Sequence, residues 1–261
     1  MNDCTSTPCS TATWGIDGGS GMRKPTEVLD TFPSSGSLEL GPVSAQPAVV
    51  IDDSSKTWLF AGTGRLYNAT DGSNTEQQYF VGVKDPVLNG GCTESSATNC
   101  HADDLVNMSS AEVCVVGIGD CGGGTDQVTG VTGATSFPSL ITKVAAKDGW
   151  YTTLPASGER ALFRPVAIAG LVLFVTYTPS GNLCDPEGSS QLYALYYLTG
   201  SAYSSPVIGG GSSSNPLSGT TTKNGKDYVN RAVSLGSGMA VGISVHKGVG
   251  TGDGKAGAFI Q

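Results

Sequence analysis

The sequence predicts an all-β protein, a partial β-propeller-like array of antiparallel β-meanders carrying a disulfide-braced loop insertion. Three observations predict it. Gly (38) and Pro (13) make up almost a fifth of the 261 residues, and Ser, Thr, Asn and Asp fill the gaps between short apolar runs. That is the composition of many turns joining short strands. No segment keeps a 3.6-residue apolar period over about ten positions, so helices are expected to be few. Several runs are apolar at every position, as strands covered on both faces are.

Residues 1–40 are polar, with Trp14, Phe32 and the run 26–30 (TEVLD) as apolar anchors. The first strand pair is 47–51 (PAVVI) and 57–61 (TWLFA), joined by an Asp-Asp-Ser-Ser turn at 52–55. A third strand, 77–83 (QQYFVGV), completes a meander and stops at Lys84-Asp85-Pro86. Residues 86–140 break the rhythm. They are rich in Gly, Ser and Thr, hold four cysteines and contain one convincing strand, 112–116 (EVCVV), so they are read as a loop-rich insertion. The meander returns with 149–154 (GWYTTL), a turn at 155–158, then 165–168 (PVAI), a turn at Ala169-Gly170 and 171–177 (LVLFVTY). A loop holding Cys184 leads to 191–197 (QLYALYY), a Gly/Ser linker is expected at 208–225, and three last strands follow at 231–235, 240–245 and 256–260. The whole, 1–261, reads as one domain. A strand opening on Pro, an almost fully apolar strand and an alternating aromatic strand recur in that order. The middle strand suits the inner strands of propeller blades, whereas a β-sandwich would show more regular one-sided alternation.

The hydrophobic fraction is 38%, charged residues are 14%, and the net charge is −8. A helical intracellular enzyme would carry more Lys, Glu, Arg and Ala. The acidic balance argues against nucleic acid, because no cationic field is present to displace counterions from phosphates. No stretch approaches the roughly 18 to 20 apolar residues that span a bilayer. The N-terminal MNDCTS has neither a basic nor an apolar signal region, so an export signal is expected to be removed or to lie on a longer precursor.

Seven cysteines point to an oxidising compartment. Cys4 and Cys9, Cys92 and Cys100, and Cys114 and Cys121 form three close pairs, five to eight residues apart, suited to short loop-closing disulfides. Cys184 is left over for a partner outside the chain or a free thiol. Zinc would want CxxC knuckles or interleaved histidines, and only His101 and His246 exist. A c-type haem would need CxxCH, which Cys100-His101 does not supply.

Other motifs fail on context. Residues 117–122 satisfy GxGxxG, but the glycines and threonines that follow are poor helix formers, so no helix N-terminus is expected for a pyrophosphate. No GxSxG elbow accompanies either histidine, and no carboxylate pair stands out for glycoside cleavage. Asp52-Asp53, Asp103-Asp104 and the segment from Asp71 to Asn74 offer too few oxygens at the wrong spacing for calcium and are read as turns. No catalytic, cofactor-binding or metal-binding residue is assigned.

Five stretches, in order, resemble the C-terminal propeller of PilY-family proteins, which assist type IV pilus assembly and sit at the fibre tip. They are 58–65 (WLFAGTGR), 74–85 (NTEQQYFVGVKD), 149–160 (GWYTTLPASGER), 190–200 (SQLYALYYLTG) and 234–238 (SLGSG). The resemblance runs from about residue 45 to the C-terminus. Within these stretches Gly62 and Gly64 are expected to allow a bulge or positive φ after a buried strand. Arg65 is expected to bond loop carbonyls, and Glu159 and Arg160 to form an ion pair that orients the next strand.

The resemblance implies capping or priming of the fibre, with surface adhesion as a further role. The implied partners are pilin or minor pilin subunits, together with further blades or another chain that completes the propeller. The implied location is the cell surface, outer membrane or pilus tip. Family members are longer, and many carry a D-x-D-x-D-x-x-x-D calcium loop that these residues lack; there is also no Arg-Gly-Asp. The span accounts for three to four blades, leaving open sheet edges. Two rivals are a secreted quinoprotein dehydrogenase, which needs vicinal cysteines or a dense Asp, Asn and Arg set not seen here, and a general extracellular adhesin unrelated to pili.

Overall fold

The computed structural model describes residues 28–31, 38–89, 100–118, 120–180, 188–208, 219–247 and 258–260. In chain order the strands are β1 (Leu29–Asp30), β2 (Ala48–Ile51), β3 (Thr57–Gly62), β4 (Tyr79–Lys84), β5 (Cys100–His101), β6 (Val106–Asn107), β7 (Glu112–Cys114), β8 (Gln127–Thr129) and β9 (Gly149–Thr153). They continue with β10 (Val166–Ile168), β11 (Leu171–Thr178), β12 (Ser189–Tyr196), β13 (Thr220–Lys223), β14 (Lys226–Val229), β15 (Ala232–Ser237), β16 (Val245–Lys247) and β17 (Ala258–Ile260). Helices are short: α1 (Ala69–Gly72), α2 (Pro86–Asn89) and α3 (Phe137–Ala145).

Two meander sheets form the scaffold. The first has the order β2-β3-β4-β9-β6, antiparallel except for the β6–β9 pair, and the second has the antiparallel order β10-β11-β12-β15. Strands β4 and β11 are buried along nearly their whole length, because each sheet is covered on both faces. The face between the sheets holds the main core, with Trp58, Phe60, Phe80 and Trp150 from the first sheet and Val172, Phe174, Tyr193 and Leu195 from the second. Phe80 stacks on Phe174 with centroids 3.6 Å apart, and Phe174 stacks on Tyr193 at 4.7 Å. The outer face of the first sheet, with Tyr79, Val81 and Val83, is covered by Leu40 and Leu105. The outer face of the second, with Leu173, Val175 and Leu192, is covered by Ile208, Ala240 and Ile243. Sheet, core, sheet and flanking cover are the layering of propeller blades. Among the described residues two sheets of four and five strands have this layering, with four two-stranded sheets beside them.

Gly82 explains why a glycine interrupts the apolar β4. It lies opposite Trp150 in the register, and a Cβ there would sit 2.6 Å from the Trp150 ring and 2.7 Å from Phe60. The two aromatic rings occupy the space that a side chain would take.

The segment 86–140 is more integral than its composition suggests. It supplies β6 to the first sheet, and Met108, Ala111, Val113, Val128, Val131 and Ala134 to the main core. The nine-residue α3 follows, with a Ser136–Ser139 capping box and Phe137, Leu140 and Val144 buried on one stripe. Its apolar period is helical but too short for a ten-position window to detect. Its C-terminal carbonyls are closed by the Lys84 ammonium, which donates to the oxygens of Val144, Ala145 and Lys147 at 3.2, 2.7 and 2.5 Å.

Two further differences concern the C-terminal third. The segment 208–225, read as a linker, contributes β13, whose hairpin with β14 turns at Asn224-Gly225 in positive φ. The run 240–245, read as a strand, makes no ladder over 240–244; its Ala240 and Ile243 instead cover the second sheet. The expected turns at 52–55 and at Ala169-Gly170 are present, the latter with φ of 50° and 81°.

Candidate contact surface

The chemistry of the scaffold begins with Arg160. It follows the turn after β9 and is bridged to β11 by reciprocal backbone bonds with Tyr177, at 3.0 and 2.9 Å. This fixes its backbone, and its side chain runs inward, leaving the residue 3% exposed. The guanidinium donates to four backbone carbonyls: Gly158 at 2.9 Å, Arg65 at 2.8 Å, Asp71 at 2.6 Å and Asn74 at 2.8 Å. The planar fork of donors suits such a convergent set. Burial pulls its pKa down from the ordinary arginine value, while the Asp71 charge opposes that fall.

Residues 65–74 are thereby fastened to the scaffold. Within them Asn68 caps α1 in a capping box with Asp71. The Asp71 carboxylate accepts from the Tyr67 and Asn68 amides at 2.9 and 3.2 Å and from Arg65 Nε at 2.9 Å. Gly64 permits the entry: its φ is +121°, and a Cβ would meet Arg160 Cβ at 2.4 Å. Tyr67 stands 75% exposed on this fixed loop.

Two sequence expectations are corrected here. Glu159 and Arg160 do not pair. Neighbours on extended backbone face opposite sides, so Glu159 enters the inter-sheet core while Arg160 enters the loop. The Glu159 carboxylate accepts from Thr176 Oγ1 at 2.6 Å, Tyr193 OH at 2.8 Å and the Ala156 amide at 3.0 Å. Burial, then the Glu159 charge, pushes the Tyr193 phenol far up, which keeps it a donor. Arg65, in turn, bonds a carboxylate rather than loop carbonyls. Among the described residues the arginines that bind carbonyls are Arg160 and Arg231, the latter donating to Met108 O at 3.0 Å and Ser109 O at 2.7 Å.

The Asp71 carboxyl is held below its ordinary 3.8, chiefly by the Tyr67 amide, with Arg65 and Asn68 adding to it against burial. A lowered folded pKa contributes stability above the unfolded value that is lost as pH falls through the folded one. Asp71→Asn is therefore expected to be less stable than wild type at neutral pH, and the gap should narrow between about pH 5 and 2. Urea midpoints across that range check it.

A second ordered loop is closed by the Cys114–Cys121 disulfide. Both cysteines are buried, while Val116 and Ile118 between them are 44% and 36% exposed. The loop is tied to the β13–β14 hairpin, since the Asp227 amide donates to Asp120 O at 2.8 Å and the Asp120 amide to Asp227 Oδ2 at 3.0 Å. Lys223 bonds Glu112 across the same junction, and Lys226 bonds Gln127 at 2.7 Å. Nothing in the strand pattern signalled this contact, because its two hairpins are about a hundred residues apart in the chain. After Gly122 come turns and β8, with no helix before α3.

Cys4, Cys9, Cys92, Cys184 and the side chain of Cys100 lie outside the described residues. His101 and His246 fall on β5 and β16. Of the acidic residues read as turn formers, Asp52 serves its turn, accepting from the Ser54 and Lys56 amides and from Trp58 Nε1; Asp103 instead lies in a short 3-10 helix and accepts from the distant Leu38 amide. Among the described residues no group of three or more His, Cys, Asp or Glu is placed to hold a metal ion, and no helix is long and apolar enough to cross a membrane.

The fold and these loops define an all-β, propeller-like scaffold that presents pre-ordered loops. No protein-family model matches the sequence, and no curated protein matches it. Among solved structures the chain is similar to the Pseudomonas aeruginosa PilY1 C-terminal domain, with a TM-score of 0.55 and 16% identity over 91% of this chain. It spans 46% of that structure's chain, less than half its length. The likeness shows a PilY1-like fold.

Proposed function

We propose that this chain is an exported module of a type IV pilus system that acts by protein–protein contact and not by catalysis. The single observation that carries the reading is its likeness in fold to the PilY1 C-terminal domain along 91% of its length. The loops agree with it. Segments fastened by a buried arginine and by a disulfide lose little entropy on binding, and loops on a rigid scaffold are where contacts are made. On this reading pilin or minor pilin subunits are the partners, the fibre is capped or primed, and surface adhesion is a second role. The location is the cell surface, outer membrane or pilus tip, and no cofactor is invoked.

The test is a pull-down of purified pilin and minor pilin subunits by the immobilised chain, under oxidising conditions and again after reduction. Saturable capture of a subunit, weakened by reduction, is expected. Absence of capture of every subunit in oxidising buffer would overturn the reading.

A further inference from the structure

The first strands of the two sheets, β2 and β10, are edges. Residues of both strands, together with 163–165 and 241–244, line an open groove of about 750 Å³. The lining is more apolar than polar, with Val49, Phe163, Pro165, Val166 and Ile243 among it, and its one charged side chain is Arg164. Arg164 is exposed and has no ion-pair partner among the described residues.

The ladder shows which backbone groups are unused. The Asp52 amide donates to Lys56 O at 2.9 Å, making 52 and 56 a bonded pair. Alternation along an antiparallel ladder then makes Ile51–Thr57 and Val49–Leu59 non-bonded pairs. The Thr57 backbone confirms the phase: its oxygen accepts from the Asp85 amide and its amide donates to Asn89 Oδ1, both away from β2. The amides and carbonyls of Val49 and Ile51 therefore point off an edge that is unpaired among the described residues, and their side chains are 60% and 69% exposed. The two-residue turn at Ala169-Gly170 sets β10 in the same way, turning the Ala167 backbone away from β11.

We propose that this groove receives an extended segment of another polypeptide, added as a strand to the β2 edge. Its side chains on the Val49 face are apolar, and it carries a carboxylate opposite Arg164. Backbone pairing would supply affinity, and the apolar pockets and the cation would set the register. A lone cation in an apolar groove of a chain with net charge −8 selects an acidic residue in the guest. The proposal rests on the protein–protein reading above and names the chemistry of the partner segment.

The probe is a synthetic blocked peptide of about eight residues, alternating Val and Thr with one Asp, compared with the same peptide bearing Lys. Fluorescence anisotropy is expected to show saturable binding of the Asp peptide. Arg164→Glu should weaken it about tenfold, some 1.4 kcal/mol, and should not weaken the Lys peptide. Val49→Pro should abolish binding yet fold, because the ladder does not use that amide. If Val49→Pro unfolds, Ile51→Lys serves, since an edge lysine blocks strand addition. No saturable binding, equal binding by the edge variants, or a concentration-dependent dimer in place of peptide binding would overturn the proposal. Peptide binding without pilin capture would separate its fate from that of the pilus reading.

Discussion

Arg160→Met is expected to lower the melting temperature by roughly 10 °C. The substitution keeps an unbranched, apolar stem and removes every donor. Four backbone carbonyls lose a charged partner, three of them on residues 65–74. Unmade bonds to buried groups cost about 1 to 3 kcal/mol each, and partial rehydration of an outer loop returns part of that. A net loss of about 3 to 5 kcal/mol is the result, which in a chain of this size corresponds to roughly 2 to 4 °C per kcal/mol. Arg160→Lys should recover less than half of the loss, because a single ammonium cannot span carbonyls that a planar fork bridges. Circular-dichroism melts measure the shift, and limited proteolysis should show new cleavage between residues 65 and 74. A shift within about 2 °C, or an uncut loop, would contradict the role given to Arg160.

Phe174→Ala is expected to cost about 3 to 5 kcal/mol, the range for emptying an aromatic from a closed core. Phe174 is fully buried between Phe80 of the first sheet and Tyr193 beside it, with centroids at 3.6 and 4.7 Å. It is thus the ring through which the sheets grip each other. Neighbours cannot collapse into the gap, since Tyr193 is anchored by its bond to Glu159. Phe174→Leu should cost less, about 1 to 2 kcal/mol, because it leaves a smaller void. Guanidinium titrations are expected to keep a single transition at a lower midpoint. Two separated transitions would show that the sheets are independent units.

Much of the scaffold was legible along the chain. Strands β2, β3, β4, β9, β10, β11 and β12 fall where β-branched and aromatic runs lie between Asp, Ser and Gly turns, since strand and turn preferences act over a few residues. The doubly buried β4 and β11 were visible as runs without a polar side. Helix α3 was not, because nine residues with a helical stripe resemble a short strand in composition. The β13–β14 hairpin was hidden in a segment whose Gly and Ser suggested a linker, its strands being mostly Thr, Lys and Asp.

The candidate surface divides in the same way. Local chemistry marked the cysteine pair at 114 and 121, the glycines at 62 and 64, and the charged pair at 159 and 160. It did not say that Glu159 and Arg160 would part, because their destinations depend on Thr176, Tyr193 and the 65–74 carbonyls, which are distant in the chain.

The sequence by itself determined an all-β meander with turn-rich loops, since backbone preference and the two-residue alternation are written into neighbouring residues. Only the tertiary structure decided where the buried charges go, how segment 105–145 joins the core, and that two sheet edges, unpaired among the described residues, meet at one groove. Those outcomes depend on contacts between residues far apart in the chain, which burial and hydrogen-bond satisfaction select only once the sheets have packed.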